Sequence, residues 1–442
     1  IWACWRWSLC PVRSIRWRVG RWGSSADSRV WREVSRLAEL DYDVAVVGAG
    51  MVGAALALGL AQQDFSVVVL EAHGPDLDWD PGSYDLRVSA ITRASQHLLQ
   101  NLDAWSAMVD DRVTPYRHMH VWDRAGFGEI HFDAADLGEP DLGHIVENRV
   151  IVRALWGAFG NQGVVVRAPA KLRTLAVAHD GASLTLTDDS RLRVGLVVGA
   201  DGARSQVREL AGIESNRKPY KQHAVVATVR AEQGNRATAW QRFMHAGPLA
   251  LLPLQSELFS IVWSTTPEQA ARLCDIAEEG FNQLLTDASE SRLGNLSLIG
   301  ARAAFPLQQQ HAAQYVGPGL ALVGDAAHVI HPLAGQGVNL GFLDAAALVD
   351  ALLAGRERGR AVGTLRDLRV YERSRKGHNL ATQLAMDAFK HLFSNDSGVL
   401  SLVRNLGLEM AGRIAPLRQT FERAALGRGL ELPTLSRPPD RH

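Results

Sequence analysis

Between Asp43 and Asp64 the chain carries no charged side chain, and the hydrophobic pattern changes period inside that window. Val44 to Val47 is a continuous valine-rich run, as expected of a strand buried on both faces of a parallel sheet. Gly48, Gly50 and Gly53 follow, and from about Met51 the pattern reads as helix before Val67 to Leu70 returns to strand. The uncharged stretch is long enough to cross a bilayer. Its glycines lie in the middle, however, behind a strand pattern, which favours a strand–turn–helix–strand unit.

Two further stretches repeat the strand-then-glycine pattern. Leu192 to Gly199 is apolar and ends in Gly199-Ala200-Asp201-Gly202, with Ser205 placed to cap a short helix carrying Arg208. Read alone, Asp201-Gly202 is a turn and Arg208 a solvated helix residue. Gly319 to Val323 is a short strand followed by Gly324-Asp325. Ten residues on, Ala334-Gly335-Gln336-Gly337-Val338-Asn339 opens a helix running through Asp344 to about Leu353. Between these motifs, Tyr220 to Thr265 predicts antiparallel strands: VVATVR, AWQRFMH, LALLPL and LFSIVWS. His118 to Ile130 predicts another strand, about Val150 to Gly160 a helix, and Pro267 to Asp287 a surface helix. Leu365 to about Arg423 reads as helical, with Gly398 and Pro416 as punctuation.

The fold class expected is α/β: a Rossmann-like dinucleotide-binding domain, an inserted mixed or antiparallel-sheet substrate domain and a helical C-terminal region. Residues 41–117, 142–215 and 311–355 are assigned to the cofactor domain, 118–141 and 216–310 to the substrate domain, and 356–442 to the C-terminal helices. The inserted sheet is the natural wall of a substrate pocket.

The glycine spacing carries specific chemistry. Gly48 permits a tight turn, Gly50 lets the backbone approach a pyrophosphate, and Gly53 lets the helix pack closely on the strand. Met51 and Val52 lie at the helix start, where free N–H groups and the helix dipole face phosphate. Glu71 sits where an acid hydrogen-bonds a ribose hydroxyl, which favours FAD or NAD over a 2′-phosphate. Asp325, at a strand's carboxyl end, is placed to accept hydrogen bonds from ribityl hydroxyls. The helix opened by Gly335 and Gly337 would stabilise negative charge at the N1–C2 edge of a reduced flavin.

Composition changes this picture little. Forty-seven basic residues balance 47 acidic ones, which gives no reason to invoke nucleic acid. Residues 1–40 differ from the rest: they hold eight arginines, three acids, six of the twelve tryptophans, two of the three cysteines and no methionine. Arginine and serine suit a mitochondrial presequence. The tryptophans instead favour translated upstream sequence or an over-extended start, with the true start near Val30 to Leu40. Cys274 is then the one cysteine left; it fits a reducing cytosol and is expected to be an inert core residue. No metal site is assigned.

The three motifs in this order resemble the single-component flavoprotein aromatic hydroxylases of the para-hydroxybenzoate hydroxylase type. A closer resemblance is to the ubiquinone-biosynthesis hydroxylases. It is carried by GDAAHVIHPLAGQGVNLGFLDAA (324–346), YDLRVSAITRAS (84–95), LGHIVENRVIVRALW (142–156), HAVVATVR (223–230) and FSIVWS (259–264), and covers about 41–427. His331 before Pro332 and the IVEN…ALW segment favour the 2-polyprenylphenol hydroxylase branch. The resemblance implies that Gly48, Gly50, Gly53, Glu71, Arg87, Arg149, Asp201, Gly324, Asp325, Gly335, Gln336, Gly337 and Asn339 bind FAD. Asn148 or Arg153 are alternatives to Arg149. It implies NAD(P)H as a transient reductant, capture of O2 as a flavin C4a-hydroperoxide, and transfer of oxygen to a polyprenylated phenol. His331 and Pro332 are expected to line the active site, and His328 to be a hydrogen-bonded structural histidine. LALLPL and FSIVWS are candidates for an isoprenoid channel and equally for sheet core. Two other functions stay open: hydroxylation of a small soluble aromatic, and a flavin-binding subunit of a quinone-synthesis complex without turnover. The expected location is the cytoplasm, at the periphery of the inner membrane.

Overall fold

The valine-rich run becomes strand Tyr42–Val47, fully buried from Val44 onward, in an eight-stranded sheet. The computed structural model describes residues 40–123, 129–178, 180–330, 337–393 and 432–439; the N-terminal expectation for residues 1–39 lies outside them. On one side of Tyr42–Val47 lie Arg191–Gly199 and then Leu320–Leu322; on the other lie Val67–Leu70 and Val165–Arg167. All four pairings are parallel. Parallel pairing brings every carboxyl end to one edge. Val47, Gly199 and Leu322 therefore finish side by side, with Val47 paired to Gly199 and Gly199 to Leu322. The hairpin of Leu172–Ala178 and Gly181–Leu186 extends the same sheet through antiparallel pairing to Arg191–Gly199.

Two helices pack beneath that edge. In Met51–Ala61 every residue from Gly53 to Leu60 is buried, so the helix is core on all sides. It crosses Gly337–Glu357 where a Cβ on Gly341 would lie 2.5 Å from the Val52 side chain. Gly337–Glu357 is long and apolar enough to span a membrane, but most of it is buried within the protein core.

The second sheet also has eight strands, in the order His328–Val329, Leu296–Ala312, Ser215–Ala231, Leu258–Thr265, Leu249–Pro253, Thr238–Phe243, His118–Asp123 and Glu129–Asp133. It is mixed, as expected: Thr238–Phe243 and His118–Asp123 run parallel, the other pairs antiparallel. Alternation sorts its side chains. Val225, Ala227, Val229, Leu249, Leu251, Phe259, Ile261 and Trp263 pack with the Pro267–Asp275 and Glu278–Ala288 helices. Leu252, Leu258 and Val262 on the other face meet Val88, Ala90 and Ile145 of a small three-stranded sheet.

Three elements depart from expectation. The 267–287 helix is two helices, broken where Ile276 turns extended. Leu296–Ala312, a 17-residue strand, was not anticipated. The C-terminal helix is described over Leu365–Phe393, and its expected continuation lies outside the described residues. Cys274 is half-buried against the second core; burial is the main influence raising its thiol pKa, in keeping with an inert role.

Candidate flavin site

At the first strand end, Gly48 takes φ +97°, and a Cβ there would lie 2.6 Å from the Ala200 carbonyl oxygen. A Cβ on Gly53 would press into the Gly48 carbonyl, so the helix approaches the turn more closely than any side chain allows. Gly50 differs: nothing lies within 4 Å of its Cβ position. It precedes the helix without a side-chain cap, and no acidic residue occupies the first turn. The first-turn N–H groups are thus left without a capping side chain or a neighbouring acid, as an anion site needs. Glu71 supports the turn, Oε2 accepting from Ala49 N at 2.7 Å and Oε1 from His73 N at 3.0 Å. It is half-exposed, and each oxygen keeps a lone pair for a ribose hydroxyl. From the opposite side, Trp156 Nε1 donates to Ala49 O at 2.8 Å. The ALW segment supplied that tryptophan without revealing its role.

At the second strand end, Asp201 Oδ2 accepts from the backbone of Gln206 and Val207, at 2.7 and 3.0 Å. Its Oδ1 is buried without a hydrogen-bond partner among the described residues. Ser205 caps the short helix through Arg208 N, as expected. Arg208 corrects the sequence reading. It is buried, not solvated, and its guanidinium donates to Ala203 O at 2.8 Å and to Ala326 O at 2.7 Å. It therefore ties the Asp-Gly turn to the Gly-Asp turn. Arg208→Met should keep the volume but strand two buried carbonyls, at a cost of about 1–3 kcal/mol. A lowered thermal midpoint in the flavin-free protein, with weaker FAD binding, is the expected result.

At the third strand end, Gly324 takes φ +57° and packs against Val52. The Asp325 side chain reaches solvent. The surrounding protein raises its carboxyl pKa, while His328 and Arg87 act in the opposite direction. Arg87, itself exposed, is thus near enough to Asp325 to favour its charged form. Behind the turn lies a network that sequence reasoning missed apart from His328. Asp344, fully buried, accepts from His328 Nε2 at 2.5 Å and Gly324 N at 3.2 Å through Oδ2. Its Oδ1 accepts from Arg375 Nε at 2.9 Å and Asn379 Nδ2 at 3.0 Å. Burial alone would raise the Asp344 pKa, but His328 and Arg375 outweigh it and hold the carboxylate ionised.

Gly337 begins the Gly337–Glu357 helix, with open space at its Cβ position and Val338 half-buried beside it. Asn339 is buried. Its Nδ2 donates to Ala90 O at 2.7 Å, and its Oδ1 accepts from Thr92 N at 3.1 Å, so it fastens this helix to the segment following Arg87. Arg149 is committed elsewhere: its guanidinium bonds Glu147 and Ser83 and stacks on Trp79 at 4.6 Å, holding the 79–85 loop. Of its alternatives, Asn148 accepts from Ser89 Oγ and Arg153 pairs with Asp111. His331, Pro332, Gly335 and Gln336 lie outside the described residues.

Four histidines, His120, His144, His311 and His378, have pKa values lowered chiefly by burial, His378 to about 4. In the unfolded chain they titrate near pH ~6.5. Between that pH and their folded values the unfolded state binds more protons, so stability falls as pH drops through this window. Thermal midpoints measured from about pH 7 to pH 5 should decline, and His378→Gln should flatten the slope.

Taken together, an uncapped glycine turn, a ribose-side acid, an acid at a neighbouring strand end and a second glycine-led helix fit the two ends of one FAD. The fold and site define an FAD-binding protein. The family model described as FAD binding domain matches residues 41–386. The chain is 42% identical to the 3-demethoxyubiquinol 3-hydroxylase of Escherichia coli (strain K12), over 87% of this chain and 98% of that protein. It is 36% identical to the mitochondrial ubiquinone biosynthesis monooxygenase COQ6 of Mus musculus, over 93% and 97%. In fold it is similar to the p-nitrophenol 4-monooxygenase PnpA of Pseudomonas putida DLL-E4, with TM-score 0.71 and 20% identity, covering 88% and 99%. The chain belongs to the FAD binding domain family and, within it, to the ubiquinone-biosynthesis hydroxylases.

Proposed function

We propose that this chain hydroxylates the ring of a polyprenylated phenol or quinol, using FAD, NAD(P)H and O2. The observation that carries the reading is an apolar face of the second sheet packed on the segment that holds Arg87. Tyr84 and Val88 pack on the inner face of the second sheet, while Arg87 between them acts on the Asp325 charge. On that inner face the register aligns Ala224 with Phe305 and Val226 with both Ala303 and Val262. Phe305 is 40% exposed there, beside buried Ala224 and half-buried Ala303 and Val262. Such a wall suits an isoprenoid tail, with the ring held toward the flavin.

When bound, FAD would relay the electrons of NAD(P)H to O2 and so supply the oxygen activation. The chain's own residues do the rest. The glycine turn and the Met51–Ala61 helix end would hold the pyrophosphate, with Glu71 on the ribose and Asp325 on the ribityl chain. The apolar wall would exclude water and orient the ring. His331 and Pro332 remain our candidates for the active-site lining, and Arg149 for cofactor binding only through the loop it secures. LALLPL divides by alternation, Leu249 and Leu251 serving the core and Leu252 the inner face. The reading includes the cytoplasm at the inner-membrane periphery as its location, because a substrate tail that partitions into lipid would be met there, and a quinone-synthesis complex as a partner.

Expression in a bacterial strain lacking its native ring hydroxylase tests the reading. The expected result is restored quinone with the wild-type chain and none with Asp325→Ala. The intermediate that accumulates identifies the ring position. Equal turnover of short-tail and tail-free phenols would overturn the prenyl-wall reading, and quinone restored by Asp325→Ala would overturn the assignment of that residue.

A further inference from the structure

We propose that His118, His131 and Asp133 form a binding site for a divalent metal of the zinc class, on the outer edge of the second sheet. The argument starts from register. His118 is paired with Asp133 and His120 with His131 across neighbouring strands, so all four side chains leave the same face. That face is opposite the one on which Met119 meets the inner core. The His118 and His131 rings stack with centroids 5.5 Å apart and planes 21° from parallel. One donor atom from each of His118, His131 and Asp133 lies within 4.8 Å of the other two.

Two observations make this more than proximity. His118 Nδ1 is buried without a hydrogen-bond partner and lies 3.5 Å from Asp133 Oδ2. Asp133 is oriented by its other oxygen, Oδ1 accepting from Ala135 N at 2.9 Å, which leaves Oδ2 directed at the imidazole. A backbone N–H that fixes a carboxylate ligand is a common outer-shell device in metal sites. The neighbouring His120 is outside the set because its Nε2 is engaged by Glu129 at 3.1 Å. Tetrahedral zinc bonds N and O ligands at about 2.0–2.2 Å, so the donors must draw together by side-chain rotation, and a water would complete the shell. His131 is exposed and free to make that adjustment. Two imidazoles and one carboxylate favour Zn²⁺, and also Ni²⁺ or Cu²⁺, over Ca²⁺ or Mg²⁺, which take oxygen donors. The site would clamp Glu129–Asp133, the outermost strand of the sheet, to its neighbour.

The test is calorimetric titration of the flavin-loaded full chain with Zn²⁺ alone, at about pH 7.5. The expected result is one Zn²⁺ per chain, weakened by about tenfold or more in both His118→Ala and His131→Ala, and unchanged in His245→Ala. Zn²⁺ should also raise the thermal midpoint of the wild type but not of His131→Ala, and Mg²⁺ should do neither. Because His131 is exposed, that variant should fold even if His118→Ala does not. Absence of stoichiometric Zn²⁺ binding, or binding that both His131→Ala and His118→Ala retain in full, would overturn the proposal.

Discussion

Gly53→Val is expected to yield protein without flavin, most of it insoluble. The added side chain must occupy the volume of the Gly48 carbonyl, and a Cβ there would also lie 3.0 Å from the Ala200 side chain. Neither neighbour can yield: Gly48 is in the turn itself, and Ala200 N donates to Val47 O at 2.8 Å. The helix must therefore back away from two strand ends at once. A core overpacking of this kind costs about 1–3 kcal/mol when side chains can shift, and more when only backbone is available to move. Gly50→Ala is the control, since its Cβ enters open space. That protein should fold and show weakened FAD binding alone. Soluble yield and the ratio of flavin to protein absorbance measure both.

Asp344→Ala is the second large effect. The carboxylate is the common acceptor for His328, Arg375, Asn379 and the Gly324 backbone. Its removal leaves the Arg375 charge buried without its main partner, at a cost of about 3–5 kcal/mol. That is a large share of the stability of an ordinary domain. The Gly324-Asp325 turn loses its anchor in the same step, so both the thermal midpoint and FAD affinity should fall. Asp344→Asn keeps the shape and one acceptor and should recover part of each. The pH dependence has a definite sign. Because the folded-state pKa is depressed, the carboxylate's contribution is complete above about pH 4 and is lost as pH falls below it. Differential scanning calorimetry of wild type and Asp344→Asn across that range should show the two converging in acid.

What was legible in the sequence and what was not divides along physical lines. The Gly48–Glu71 unit was readable because its glycine spacing marks a turn and a close helix approach within one short segment, even though Ala200, from a distant strand, also crowds Gly48. Ser205 as a cap was readable for the same reason. Arg208 was not: its partners include a carbonyl 118 residues away, and nothing in the helix pattern marks it as buried. Asp344 sat unread within the quoted 324–346 motif. Its partners Arg375 and Asn379 lie on a different helix, and no periodicity connects them. The Leu296–Ala312 strand escaped because Gly300 and Pro306 interrupt it, and its register against Ser215–Ala231 shifts twice, which erases the alternation that marks a strand. Asn339 was singled out for the flavin, yet the side chain holds Ala90 and Thr92 in place. A motif can thus identify the right residue before its physical task is known.

The central claim is that three strand ends, distant in sequence, meet to hold one FAD. Reconstitution of purified chain with excess FAD, followed by gel filtration and absorbance spectroscopy, tests it most directly. The account predicts one flavin per chain in the wild type and none in Gly53→Val. Wild-type protein that emerges colourless, or a Gly53→Val variant that is folded and fully yellow, would contradict it.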